Sequence, residues 1–408
     1  MRRHVLVAAV LIPAAALGIA QAGFFSSTSP AAAQGTPALI ARACDSHCGA
    51  QWMDANLRLD QLQLVGTAES YKQRPNAALM GLIRMGGKAD AEALDYGQPP
   101  LATQLDNDVR TLSFDVAYDP KGGAYKNPAG ASMAMDLLPA DYVAAMARPG
   151  FKAVHVLDVD YQSSCLALRD CLKQVADWSS AHPRHLPIVI TLHTNDVKTP
   201  MPGATRPLPC DTAAMDALEG EVRAAFATDQ IITPDMVQGE HASLREAVLA
   251  HNWPRLGAAR GKVIVVLDDS AAKVDAYRGT RADLEGRAMF VATDGASPVA
   301  GFLSLPDPVK DGSHIAAAIH DGFMVITRAD ADTREARTGN TARRDAAFRS
   351  GAQVVQSNFV VADPRIGPYR VSLADNASAM CGKELSPERC VRFADSDVPV
   401  RTAVAVSP

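Results

Sequence analysis

The residues best suited to chemistry sit at the ends of short apolar runs. Asp115 lies inside one run with Ser113 two positions before it, so both share one face of an extended strand. A carboxylate among Leu112, Phe114 and Val116 is costly unless it is paired or serves a site. His155 lies between Val154 and Val156, with Asp158 and Asp160 just beyond, and His193 closes another run before Thr194-Asn195-Asp196. Each imidazole is open to two readings, a hydrogen-bonded core histidine or a proton carrier and ligand. Glu69 follows Gly66-Thr67-Ala68 and leads into Ser70-Tyr71-Lys72. Arg328 suits an anion or pairs with Asp330, while Asp268, Asp269 and Asp330 also read as helix caps. Lys72, Arg328 and Asp330 are the candidates for holding a substrate.

The apolar runs are the elements that must position these groups. Strands are expected over Leu62–Val65, Thr111–Val116, Lys152–Leu157, Pro187–Leu192, Val263–Leu267, Ala288–Ala292, Phe323–Thr327 and Gln353–Phe359. Helix-period segments lie between them, at Leu101–Val109, Cys165–Ala181, Thr212–Ala227, Ser243–Ala250 and Thr333–Ser350, with Asp211 and Ser243 as N-caps. Strand alternating with helix predicts an α/β fold, a single (β/α)₈ TIM barrel. A doubly wound open sheet is the alternative, and it lacks the glycine-rich turn after the first strand. In a barrel the chemistry sits at the C-terminal ends of the strands, so Glu69, Asp115 and His193 should share one pocket with His155 beside them.

Of 408 residues, 48% are hydrophobic and 21% charged, a globular composition. A net charge of -5 without a basic tail gives no case for nucleic acid. Arg2 and Arg3, the apolar stretch Val5–Ala20 and Ala20-Gln21-Ala22 read as a cleaved leader, residues 1–22, so export to the periplasm or the exterior is expected. No later apolar run is long enough to span a membrane. Residues 23–56 form an N-terminal extension, 57–361 the barrel and 362–408 a C-terminal extension. In an exported chain the close pairs Cys44/Cys48, Cys165/Cys171 and Cys381/Cys390 read as disulfide staples, leaving Cys210 as an unreactive thiol.

Longer stretches carry a family resemblance. Leu57-Arg58-Leu59-Asp60-Gln61-Leu62-Gln63-Leu64-Val65-Gly66-Thr67 followed by Ser70-Tyr71 resembles the opening of the bacterial and fungal calcium-dependent phosphoinositide-specific phospholipases C. The likeness continues through Gln104-Leu105-Asp106, Asp115, Asp119-Pro120-Lys121-Gly122-Gly123 and His155 to Cys165. It resumes at Ile231-Ile232-Thr233-Pro234, Trp253-Pro254, Thr327-Arg328-Ala329-Asp330-Ala331-Asp332-Thr333 and Ser350-Gly351-Ala352-Gln353. The resemblance implies a distorted TIM barrel, phosphoric diester cleavage and calcium.

The resemblance also implies where the site should be, and the sequence departs there. The family's first catalytic histidine falls on Ala68 and its neighbouring asparagine ligand on Glu69. The Glu-x-Asp ligand pair becomes Ser113 and Asp115, the fourth-strand glutamate becomes His193, and the second histidine survives as His155. The resulting expectation is His155 as the catalytic group and Glu69, Asp115 and His193 as ligands of a divalent metal. Calcium is the family's ion, whereas a set with imidazole suits a Zn, Mn or Fe-type ion. A small phosphodiester, inositide or sugar-like molecule is the expected ligand. The alternative is an inactive barrel kept as a ligand-binding module.

Overall fold

The computed structural model describes residues 46–373 and 377–381. The expected leader, Cys44, Cys390 and the chain beyond 381 lie outside the described residues, and with them the pairings of Cys48 and Cys381 with those cysteines.

In chain order the strands are β1 Leu62–Thr67, β2 Thr111–Ala117, β3 Lys152–Ala153, β4 Ile188–Thr194 and β5 Val263–Leu267. They continue with β6 Phe290–Val291, β7 Phe302–Ser304, β8 Met324–Arg328, β9 Val354–Ser357 and β10 Met380–Cys381. Eight of them run parallel in the order β6-β5-β4-β2-β1-β9-β8-β7. A single parallel bridge, Ala292 to Phe302, joins the two edges, so the sheet is a nearly closed barrel. Both faces of such strands are covered, by the barrel interior and by the outer helices, which is why β1 and β5 are buried along their whole length. β3 and β10 are short antiparallel additions to β2 and β1.

Two strand expectations are corrected. Lys152–Leu157 is not a barrel strand: only Lys152 and Ala153 pair, against Ala117 and Val116. The chain then turns, with Asp158 in the left-handed region at φ 66° and Asp160 N–H donating to the Val156 carbonyl at 2.8 Å. The eighth barrel strand is β7, three residues between Gly301 and Pro306. It is held by an aromatic cluster, with Phe302 5.4 Å from Phe290 and 5.7 Å from Trp253. The expected helix Thr333–Ser350 is two helices, Arg334–Thr338 and Ala342–Ser350, broken at Gly339 in the left-handed region.

Elsewhere the helices follow the periodicity. Asp211 caps Thr212–Ala225 by accepting from Ala214 N–H, and Ser243 caps Leu244–Leu249 by accepting from Glu246 N–H. Cys165 and Cys171 are disulfide-bonded with Cα atoms 5.3 Å apart, as expected, and Cys210 is a buried free thiol. Cys381 is disulfide-bonded as well. Among the described residues no helix is long and apolar enough to cross a membrane.

A close approach of two strands lies at the end of β1, next to the candidate site. Gly66 pairs with Thr111, and a Cβ on residue 66 would lie 1.8 Å from the Thr111 carbonyl oxygen. Backbone cannot yield as a flexible side chain does, so Gly66→Ala should destabilise the barrel by about 3 kcal/mol, the upper end of ordinary overpacking. A lowered urea midpoint with the slope retained is the expected readout; an unchanged midpoint would contradict this packing.

Candidate active site and cation centre

The site begins where β1 ends. Thr67, Ser70 and Gln104 are buried and lock the following turn: Thr67 Oγ1 donates to Gln104 Oε1 at 2.6 Å and Gln104 Nε2 donates to the Ser70 carbonyl at 2.7 Å. Ala68 N–H donates to the Ser357 carbonyl on β9 and Ser70 N–H to the Ser113 carbonyl on β2. This lock turns the chain so sharply that Glu69 sits at φ 44° with its carboxylate over the barrel mouth. There it accepts from Tyr96 Oη at 2.6 Å and from Arg328 Nη1 at 3.4 Å.

The neighbouring strands deliver the other groups by parity. Ser113 and Asp115 share the inner face of β2, and register places Asp115 beside His193 of β4. Tyr71, stacked on Phe114, donates to Asp115 Oδ2 at 3.1 Å. His155 arrives on the turn after β3: Val154 N–H donates to the Asp115 carbonyl, and Asn195 Nδ2 donates to the His155 carbonyl. Its Nδ1 donates to the buried Asp160 at 2.8 Å. Donor atoms of Glu69, Asp115 and His155 all lie within 4.8 Å of one another. Beside them opens a cavity of about 320 Å³ lined by residues that include Ser113, His193, Asp268, Ser304 and Arg328.

Charge is unevenly held here. Burial works against ionised Glu69, yet Arg328, His155 and the Tyr96 hydrogen bond hold its carboxyl down at about 2. Burial pushes the Asp115 carboxyl up, helped by the charge of Glu69, with His155 and His193 pulling the other way. Burial also opposes a charged His155, but the bond to Asp160 and the charges of Glu69 and Asp160 raise it to about 9. His193 is raised despite burial, chiefly by Asp268 and Asp115. Two carboxylates and an imidazole of this spacing have the chemistry of a cation centre, and without an ion the neighbouring cations carry the compensation.

The family described as "Phosphoinositide phospholipase C, Ca2+-dependent" matches residues 57–382. The chain belongs to this family. Among solved structures, the calcium-dependent phosphoinositol-specific phospholipase C from a Gram-negative Pseudomonas sp. is similar at TM-score 0.50 and 15% identity, covering 81% of this chain and 96% of that one. The same enzyme as a myo-inositol complex gives 0.49 and 15%, with the same coverage. The Streptomyces antibioticus Ca2+-dependent phosphatidylinositol-specific phospholipase C gives 0.47 and 15%, covering 74% and 94%. At this identity the likeness speaks for the fold. No curated protein matches the sequence.

Against the family pattern, the stretches that resemble it are largely scaffold: Thr67, Ser70 and Gln104 hold the loop, and none of them lines the cavity. Glu69, Asp115, His193 and Arg328 do line it. His155 completes the tight donor triangle, a place the sequence gives to His193, which instead stands 3.8 Å from Asp268. Lys72 and Asp330, expected to hold a substrate, do not line this cavity. Lys72 is wholly buried against Asp160 and main-chain carbonyls. Asp330 is wholly buried too, accepting from Ser357 Oγ and from Asn358 N–H. Tyr96, Ser304 and the role of Asp160 escape the sequence reading. Tyr96 stands alone in a polar loop without period, and Ser304 belongs to the strand that was not expected.

His155 supplies a pH test. Its folded pKa of about 9 lies above the ordinary value of about 6.5, so its contribution to stability is complete below about 6.5 and is lost as pH rises through about 9. Asp160→Asn removes the negative charge behind His155 Nδ1, so NMR titration of the metal-free variant should return His155 toward 6.5 and flatten the loss of stability over that window. An unmoved titration would contradict the dyad.

Proposed function

We propose that this chain is a phosphoric-diester-processing member of its family whose cation centre has been rebuilt, with the two histidines exchanging the roles expected of them. Glu69, Asp115 and His155 hold a divalent ion and His193 carries the mobile proton. The observation behind this is the 4.8 Å donor triangle, together with the commitment of His155 Nδ1 to Asp160, which leaves Nε2 to face an ion. A carboxylate behind a ligating histidine fixes its ring and raises its basicity. Calcium takes six to eight oxygens, whereas here two carboxylates supply at most four with an imidazole as third donor, a set that suits a Zn, Mn or Fe-type ion better. When bound, the ion would supply Lewis-acid polarisation of a phosphoryl oxygen.

The chain's own residues do the rest. Arg328 opens on the cavity beside Glu69 and offers its guanidinium to an anionic oxygen. His193 is on the wall, about one-third exposed, with Asp268 near its Nε2, and is placed to protonate a leaving oxygen. Ala68 carries no proton, so the family's exchange between two histidines across phosphorus has lost one partner. The cavity volume suits a small phosphodiester or sugar-like ligand.

One observation favours the second reading, a ligand-binding module without turnover: Arg328 already pairs with Glu69, neutralising the centre from within. Metal analysis separates the two. Protein purified without chelator should carry a near-stoichiometric transition ion, and Asp115→Asn should weaken its binding at least about tenfold, the lower end of losses seen even for indirect supports. Phosphatidylinositol cleavage with calcium should stay at background. No bound ion and no ion affinity would select the binding module, and chelator-sensitive cleavage with calcium would overturn both readings.

A further inference from the structure

Lys72 is an ammonium placed where no ligand reaches it. Its side chain is wholly buried and does not line the cavity. Nζ stands 3.2 Å from Asp160 Oδ2 and donates to the carbonyls of Leu94 and Tyr96 at 2.9 and 2.8 Å. It also lies 4.3 Å from the centre of the Tyr96 ring. Two of these partners, Asp160 and Tyr96, lead to donors of the triangle. Asp160 Oδ2 accepts from His155 Nδ1, and Tyr96 Oη donates to Glu69 Oε2. The main chain repeats the link, because Lys72 N–H donates to the Glu69 carbonyl at 2.9 Å.

We propose that Lys72 is a positioning residue that couples the two sides of the cation centre, fixing Glu69 through Tyr96 and His155 through Asp160. The proposal rests on the cation-centre reading. Among the described residues Asp160 Oδ1 is buried without a hydrogen-bond partner, so Asp160 is compensated through Oδ2, by His155 and Lys72. Without the ammonium, Asp160 has reason to turn toward other donors and release the imidazole. The Tyr96 ring and carbonyl lose the same anchor, which leaves the Glu69 carboxylate without a fixed hydroxyl donor.

The test is a double-mutant cycle read in Co²⁺ affinity by calorimetry, with the hydrogen-bonded Nδ1 proton of His155 followed by NMR in the metal-free protein. Tyr96→Phe and Asp160→Asn should be non-additive by threefold or more when Lys72 is present and additive in Lys72→Met. Lys72→Met alone should cost tenfold or more in affinity and abolish the Nδ1 signal. If that variant does not fold, Lys72→Met with Asp160→Asn leaves no unpaired carboxylate. It should bind Co²⁺ at least threefold more weakly than Asp160→Asn alone, because the Tyr96 side is lost as well. Additivity in the presence of Lys72, or equal affinity in that last comparison, would overturn the proposal. Wild-type protein that binds no Co²⁺ rejects the cation centre itself. The Nδ1 signal then decides the role of Lys72: lost in Lys72→Met it supports the role, and retained it overturns it.

Discussion

Two carboxylates at the mouth of one barrel repel each other unless a cation stands between or beside them, and the centre of this protein is arranged around that repulsion. Glu69 and Asp115 come from adjacent strands, one from the turn after β1 and one from inside β2. Four neighbouring groups answer their charge. Arg328 and Tyr96 reach Glu69, Tyr71 reaches Asp115, and His155 completes a triangle with both. Behind this layer a second one repeats the logic, with Asp160 compensating His155 and Lys72 compensating Asp160. The electrostatic demand thus runs inward from the cavity to a buried lysine.

The barrel makes that arrangement possible through parity and closeness. Residues two apart on a parallel strand share a face, so Ser113 with Asp115, and Ile326 with Arg328, line the same cavity. Gly66 lets β1 approach the Thr111 backbone, and the polar lock of Thr67, Ser70 and Gln104 then turns the chain to present Glu69. The family's most recognisable stretch is therefore the device that aims a side chain.

That division explains what was legible in the sequence. Asp115 stood out because an ionised group inside an apolar run needs a reason, and Glu69 and His193 followed from their positions at strand ends. The barrel was legible from alternating runs, with one misplaced strand. Val154, Val156 and Leu157 look like strand residues, but Asp158 reverses the chain there, with its carboxylate accepting from Ala129 N–H and Thr205 N–H. The reversal puts His155 on a turn and swings it into the donor triangle, beside Glu69 and Asp115. Lys72 and Asp330 read as substrate-binding candidates, because nothing local in a sequence tells a buried, paired charge from a solvated one.

The exchange of roles between the histidines is the central claim, and pulsed electron paramagnetic resonance of the Mn²⁺-loaded protein with ¹⁵N-labelled histidine tests it most directly. A single directly bound imidazole nitrogen should couple to the ion, and that coupling should vanish in His155→Gln and persist in His193→Gln. Coupling that survives His155→Gln and is lost in His193→Gln would contradict the account.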